Sequence, residues 1–270
     1  MERNGNGGAS RFSINRLRAG EWLQAVDDLI EEVPVAFEYN GISHAVMLAS
    51  PLDLEEFALG FSLSEGICAS AKDFFEVEIA QSAAGITLQI KVSNEAFVKL
   101  KERRRNLTGR SGCGLCGVES LEQVLRPLSS CHPTQALSAA SVRRALADLQ
   151  AQQPLNRLTG GAHAAAWCAA DGELLAVYED VGRHNALDKL IGAMAKQQLN
   201  VRDGFVLMTS RASVELVQKA ATVGVSALVA ISAPTALAVR TARDCGMTLL
   251  AFARGEEFVA YANNQNIRLD

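Results

Sequence analysis

On either side of Asn40-Gly41 stand two mostly apolar, strand-like runs, Val33-Pro-Val-Ala-Phe-Glu-Tyr39 before it and Ile42-Ser-His-Ala-Val-Met-Leu48 after it. The two runs are predicted to be strands, and Asn-Gly favours the type I′ turn of a hairpin because both residues accept positive φ. A helix is predicted at once: Ser50-Pro51-Leu52-Asp53 supplies an N-cap, a proline at the first helical position and an early acid. Leu54, Phe57, Ala58 and Phe61 then recur at helical spacing, and Gly66 ends the run. Two more strands are predicted at 74–81 and 86–92, the second alternating Ile86, Leu88, Ile90 and Val92 with polar neighbours. Asn94 caps a helix whose end is basic, Lys99-Leu-Lys-Glu-Arg-Arg-Arg105. Helical spacing returns at 120–125 and 138–152, with Pro127 and Pro133 in the link.

Beyond Leu158 the pattern changes to strand and helix in alternation. Strands are predicted at 174–178, 205–208, 227–231 and 248–252, and helices at 185–198, 214–222 and 235–245. This order implies an α/β fold with a mostly parallel sheet and crossover helices. The chain therefore divides into a flexible segment at 1–20, a small α+β domain at 21–132 and an α/β domain at 133–270.

Charge adds exclusions. The 270 residues carry a formal net charge of -4, so no overall basic excess draws the chain to nucleic acid or an anionic membrane. The first ten residues show no targeting pattern, and the apolar run at 227–239 is broken by Ser232-Ala-Pro-Thr235, well short of the roughly 20 residues of a membrane helix. A cytosolic location is expected. Six cysteines, at 68, 113, 116, 131, 168 and 245, are sparse for a disulfide scaffold. Cys68, Cys168 and Cys245 sit in apolar surroundings and read as core filler.

Cys113 and Cys116 differ, because they lie among Gly112, Gly114 and Gly117 directly behind Arg103, Arg104, Arg105 and Arg110. A Cys-x-x-Cys pair can be half of a zinc site, a dithiol redox centre or a carrier of persulfide sulfur. Structural zinc takes four protein ligands, and the only nearby candidates are Cys131 and His132, so no metal is assigned. A thioredoxin-like pair would open a helix after a buried strand, which Thr-Gly-Arg-Ser-Gly does not resemble. Carrying sulfur suits the loop better, since glycines let a thiolate move between donor and acceptor and the arginines favour the anion. The same arginines also fit a solvated helix end that complements the helix dipole.

Polar clusters recur where the strands of the second half end. They are Thr159-Gly-Gly-Ala-His163, Glu179-Asp-Val-Gly-Arg-His-Asn185, Thr209-Ser-Arg-Ala-Ser213, Ser232-Ala-Pro-Thr235 and Ala253-Arg-Gly255. In an open parallel sheet ligands gather at the carboxyl ends of strands, where helix N-termini meet anions. The repetition points to a phosphorylated, nucleotide-sized ligand near Arg211, Ser232 and Phe252, with GDP as a simple mimic. His184, at a helix start, is the better histidine candidate, while His163 in an apolar run reads as a core group. Zinc deaminase chemistry needs His-x-Glu before a Cys-x-x-Cys pair; here Ala-Ala follows His163 and the cysteines come earlier.

Taken together, several of these stretches resemble the FdhD/NarQ family of formate dehydrogenase accessory sulfurtransferases. The signatures are Ser50-Pro-Leu-Asp-Leu-Glu-Glu-Phe-Ala-Leu-Gly-Phe61, Ser64-Glu-Gly-Ile67, Cys113-Gly-Leu-Cys-Gly117, Thr159-Gly-Gly-Ala-His-Ala-Ala-Ala166, Glu179-Asp-Val-Gly-Arg-His-Asn-Ala-Leu-Asp-Lys189, Ser232-Ala-Pro-Thr235 and Phe252-Ala-Arg-Gly255. The resemblance implies a cytidine-deaminase-like second half without the zinc chemistry, in a cytosolic homodimer. It implies a sulfurtransferase that takes persulfide sulfur from a cysteine desulfurase of the IscS type onto Cys113 and Cys116. The sulfur would pass to the bis(molybdopterin guanine dinucleotide) molybdenum cofactor before that cofactor enters formate dehydrogenase. Cofactor binding would fall on Phe252, Ala253, Arg254, Gly255, Glu256 and Glu257. A rival reading is a non-catalytic chaperone that binds the molybdenum cofactor and formate dehydrogenase.

Overall fold

The computed structural model describes residues 7–105, 128–131, 133 and 136–269. Cys113, Cys116, Arg110 and the helix expected at 120–125 lie outside the described residues, as do the side chains of Arg103 to Arg105. The chain opens with β1 (Ala9–Arg18) and β2 (Glu21–Ile30), an antiparallel ribbon paired along its full length. Residues 9–18, within the segment expected to be flexible, thus form a strand. Arginines on β1 face acids on β2, as in Arg11–Asp28, while Leu17, Trp22 and Val26 stay exposed. Such mixed faces hide the period of two.

The predicted hairpin follows as β3 (Val33–Tyr39) and β4 (Ile42–Ala49), with φ of 46° at Asn40 and 82° at Gly41. With β5 (Phe74–Ser82) and β6 (Gly85–Val92) it forms a four-stranded sheet in the order β4-β3-β6-β5. Val35, Phe37 and Tyr39 alternate onto one face and meet α1 (Leu54–Ser64), where Phe37 packs edge-to-face against Phe57 and tilted against Phe61. The basic helix predicted from Asn94 is α2 (Asn94–Arg105), capped by the Ser93 hydroxyl, which accepts from the Ala96 amide.

The second half opens with the short β7 (Leu137–Ser138), which pairs in parallel with residues Ile267–Arg268, and is built on a six-stranded sheet. Its order is β13-β12-β11-β10-β8-β9, from β8 (His163–Ala169), β9 (Leu174–Asp180), β10 (Gly204–Met208), β11 (Ala227–Ala230), β12 (Thr248–Arg254) and β13 (Glu257–Ala262). Only β10–β11 and β11–β12 pair in parallel; the flanking pairs are antiparallel. The expected mostly parallel sheet is thus corrected to a mixed one. The cause is two hairpins, because β8 turns back into β9 and β12 turns back into β13.

Alternate side chains of each strand serve different layers. Val206 and Met208 join a cluster with α5 (Arg183–Lys196), α6 (Val214–Thr222), α7 (Ala236–Cys245) and α1. Phe205 and Leu207 join another with α3 (Ala139–Leu149) on the opposite face. The first cluster also holds Phe37, Leu88 and Ile90, so the two halves of the chain share one core. They meet through α1 and α5. A Cβ built on Gly60 would lie 2.6 Å from the carbonyl carbon of Asp188, and one on Gly192 would lie 2.7 Å from that of Glu56. Both distances are below any real contact, so each helix needs glycine where the other's backbone crosses it.

Two buried ion pairs lock the same joint. Lys189 lies 2.7 Å from Asp180, both side chains fully buried, and Lys219 lies 2.9 Å from Asp188 and 2.8 Å from Glu65. Ser50 completes the first pair: its amide donates to Asp180, its carbonyl accepts from Lys189 and its hydroxyl accepts from the Val181 amide. The hydroxyl expected to cap α1 is therefore engaged 131 residues away, and Asp53, at φ 52°, takes the cap position instead.

Candidate functional site

Strand directions bring the five polar clusters to one edge of the sheet. β10, β11 and β12 run in parallel and end there, β8 starts there, β9 ends beside it (His163 pairs with Asp180) and β13 starts opposite Arg254. The ladder continues past the strands: the Ser232 amide donates to the Ser210 carbonyl at 3.4 Å, and the Phe252 amide to the Ser232 carbonyl at 3.2 Å. Ser210, Ser232 and Phe252 thus stand in one row. The Ala212–Pro234 bridge ties the loops above them.

Phe252 carries a φ of 52°, a left-handed conformation that a non-glycine residue seldom adopts, and the register of β12 against β13 shifts between Ala251 and Arg254. This bulge turns the Phe252 ring outward, 43% exposed, and drives the Ala253 side chain into the core on the α3 side. Ala253, expected to contact a ligand, cannot do so through its side chain. Arg254 reaches back along the edge, donating from Nε to the Ile231 carbonyl at 3.2 Å beside Ser232. Gly255 makes the exposed turn into β13. Glu256 is drawn away, 3.3 Å from Arg143 on α3, and Glu257 begins β13 exposed to solvent.

Across the row, α6 starts behind Arg211-Ala212-Ser213, with Arg211 exposed and the buried Ser213 hydroxyl without a hydrogen-bond partner. At the neighbouring α5 start, the buried Nε of Arg183 is also without one. His184 is held 2.8 Å from Glu215 on α6. That contact, with burial opposing it, pulls the Glu215 carboxyl below its ordinary range. His163 is half-buried with Nδ1 3.5 Å from the Thr209 hydroxyl, and burial, then Arg183 and His184, push its pKa down. It is thus a neutral wall of the edge rather than a cation in it.

The stretch from Glu179 to Lys189 separates into two roles. Glu179 accepts from the amides of Leu155 and Asn156, where it holds the start of α4 (Pro154–Thr159). Asp180 accepts from Gly182 and Asn185, and Asn185 donates onward to the Leu48 carbonyl. Asp188 and Lys189 belong to the buried pairs. Only Arg183 and His184 are left for a ligand, so most of this motif is scaffold. Glu215 was missed by sequence reasoning, and Arg183 was named only as a member of its cluster. The signal for Glu215 was its place in the first turn of the helix behind Arg211.

Helices on both faces of a mixed sheet, with arginines and a strained aromatic gathered on one edge, define an α/β protein whose edge suits an anionic ligand. The FdhD/NarQ family model matches residues 30–268. The sulfur carrier protein FdhD of Cupriavidus necator is 52% identical over 259 residues, spanning 96% of this chain and 90% of that protein. The sulfur carrier protein FdhD of Variovorax paradoxus is 49% identical over 257 residues, spanning 95% and 92%. A crystal structure from Desulfotalea psychrophila, described as a formate dehydrogenase accessory protein, has the same fold, with a TM-score of 0.74 at 22% identity over 97% of this chain and 100% of that one. The chain belongs to the FdhD/NarQ family.

Proposed function

We propose that the protein is a sulfur carrier that serves formate dehydrogenase, with Cys113 and Cys116 as its working thiols. The observation that carries this reading is the pair Cys113-Gly-Leu-Cys116 in a chain about half identical to proteins named as sulfur carriers. The four described cysteines are all buried, so none of them is placed to meet the persulfide of a partner protein. Burial holds the Cys68 thiol up at about 12, far from a working thiolate at neutral pH.

In the proposed reaction a thiolate of the pair attacks the terminal sulfur of a cysteine desulfurase persulfide. The donor S–S bond breaks, the desulfurase thiolate leaves, and the sulfur rides as a persulfide on this chain. The acceptor is the bis(molybdopterin guanine dinucleotide) molybdenum cofactor, bound as substrate along the sheet edge. The residues there fit a phosphorylated purine ligand. Arg183, Arg211 and Arg254 supply cations, the orphaned Arg183 Nε and Ser213 hydroxyl supply free polar groups, and the exposed Phe252 ring supplies a stacking face. The homodimer, the cytosolic location and the deaminase-like descent of the second half belong to the same proposal.

The test is complementation of a bacterium that lacks its own copy. Cys113→Ala and Cys116→Ala proteins, each shown to be folded, are expected to leave formate dehydrogenase inactive. Full activity with both thiols replaced would favour a cofactor-binding chaperone instead.

A further inference from the structure

Two further thiols, those of Cys131 and Cys245, meet inside the core. Cys131 follows the described residues 128–130, and Cys245 is the last residue of α7. They are 3% and 4% exposed, and their sulfurs stand 3.4 Å apart. The Cys131 amide donates to the Cys245 carbonyl at 2.9 Å, so the two backbones already touch. Bonded sulfurs lie about 2.05 Å apart, so about 1.4 Å separates the present pair from a bond.

We propose that Cys131 and Cys245 form a reversible dithiol–disulfide site, separate from the sulfur-carrying pair, whose oxidant is a peroxide. The Cys131 thiol donates to the Cys245 sulfur, which favours the thiolate at Cys245 and makes it the attacking group. Its sulfur attacks one peroxide oxygen, the O–O bond breaks, and one water leaves as Cys245 becomes a sulfenic acid. Cys131 then attacks that sulfur, the S–S bond forms, and the hydroxyl departs with the Cys131 proton as a second water. The two electrons that reduce the peroxide come from the two thiols. The new bond joins the chain that follows Cys116 to the turn before β12, the strand whose far end carries Phe252. Cys68, just after α1, and Cys168, on β8, are internal controls, because they are buried elsewhere in the core.

The experiment treats the purified full-length protein with hydrogen peroxide, quenches it with an alkylating reagent and digests it without reductant. Mass spectrometry should find a peptide linking Cys131 to Cys245 that dithiothreitol removes, with Cys68 and Cys168 alkylated as thiols. Free Cys131 or Cys245 under conditions that oxidise Cys113 and Cys116 would overturn the proposal. So would either residue joined to Cys113, Cys116 or a second chain. A second measurement compares melting temperatures with and without peroxide: the wild-type value should rise and that of Cys131→Ser should not. An equal shift in both also overturns it.

Discussion

Replacing Gly60 with alanine probes the crossing of α1 and α5 that joins the two halves of the chain. The new methyl carbon would sit 2.6 Å from the Asp188 carbonyl carbon and 2.7 Å from the Gly192 amide nitrogen, below the 3.0 Å that real contacts respect. These are backbone atoms and cannot rotate away, so the helices must separate and the cost falls near the top of the overpacking range, about 3 kcal/mol. Alanine returns about 1 kcal/mol through its better helix propensity. The net loss is about 2 kcal/mol, which for a domain of this size lowers Tm by roughly 4–8 °C. Gly192→Ala makes the reciprocal clash, against the Glu56 backbone. Once one methyl has spread the helices the second costs less, so the double variant should lose less than the two single losses combined. Calorimetric melts of the three variants decide this. A Gly60→Ala protein as stable as the wild type, or strictly additive losses, would refute the close crossing.

Other consequences follow from the buried charges and the site edge. Lys189→Met strands Asp180 at full burial beside Ser50, Gly182 and Asn185, and should cost about 3–5 kcal/mol in denaturant melts; a loss under about 1 kcal/mol would contradict the buried ion pair. His163 titrates below its unfolded value of 6.5, so the unfolded chain takes the proton first. Its contribution is complete above that pH and lost as pH falls through the folded pKa. His163→Gln should therefore flatten the decline of stability on the acid side, and an unchanged slope would count against its burial. GDP should bind the sheet edge with affinity that weakens as salt rises, and Arg211→Ala with Arg254→Ala should abolish most of it by calorimetry; unchanged binding would place the nucleotide elsewhere.

Local patterns carried much of the fold. Asn40-Gly41 announced its hairpin, Ile86 to Val92 announced a strand, and the run from residue 205 to 252 gave strands and helices close to their observed bounds. β8 was not legible, because His-Ala-Ala-Ala-Trp is buried on both faces and has neither alternation nor β-branched residues. Without β8 the sheet looked parallel. β1 and β2 were obscured by apolar and charged residues on both faces of a solvent-exposed ribbon. The edge clusters were visible as loops after strands, but their division into scaffold and ligand-facing groups was not. Asp180 with Ser50 and Asp188 with Ser64 are contacts across more than a hundred residues, and no local pattern encodes them. Cys131 and Cys245 are hidden for the same reason.

On the proposed function, sulfur travels on the Cys113–Cys116 pair. The most direct measurement of this incubates the purified protein with a cysteine desulfurase and cysteine, then maps persulfides by alkylation and mass spectrometry. The added sulfur is expected on Cys113 or Cys116 and not on Cys68, Cys131, Cys168 or Cys245, all four of which are buried. A protein that matures formate dehydrogenase while neither Cys113 nor Cys116 ever carries the extra sulfur would contradict it.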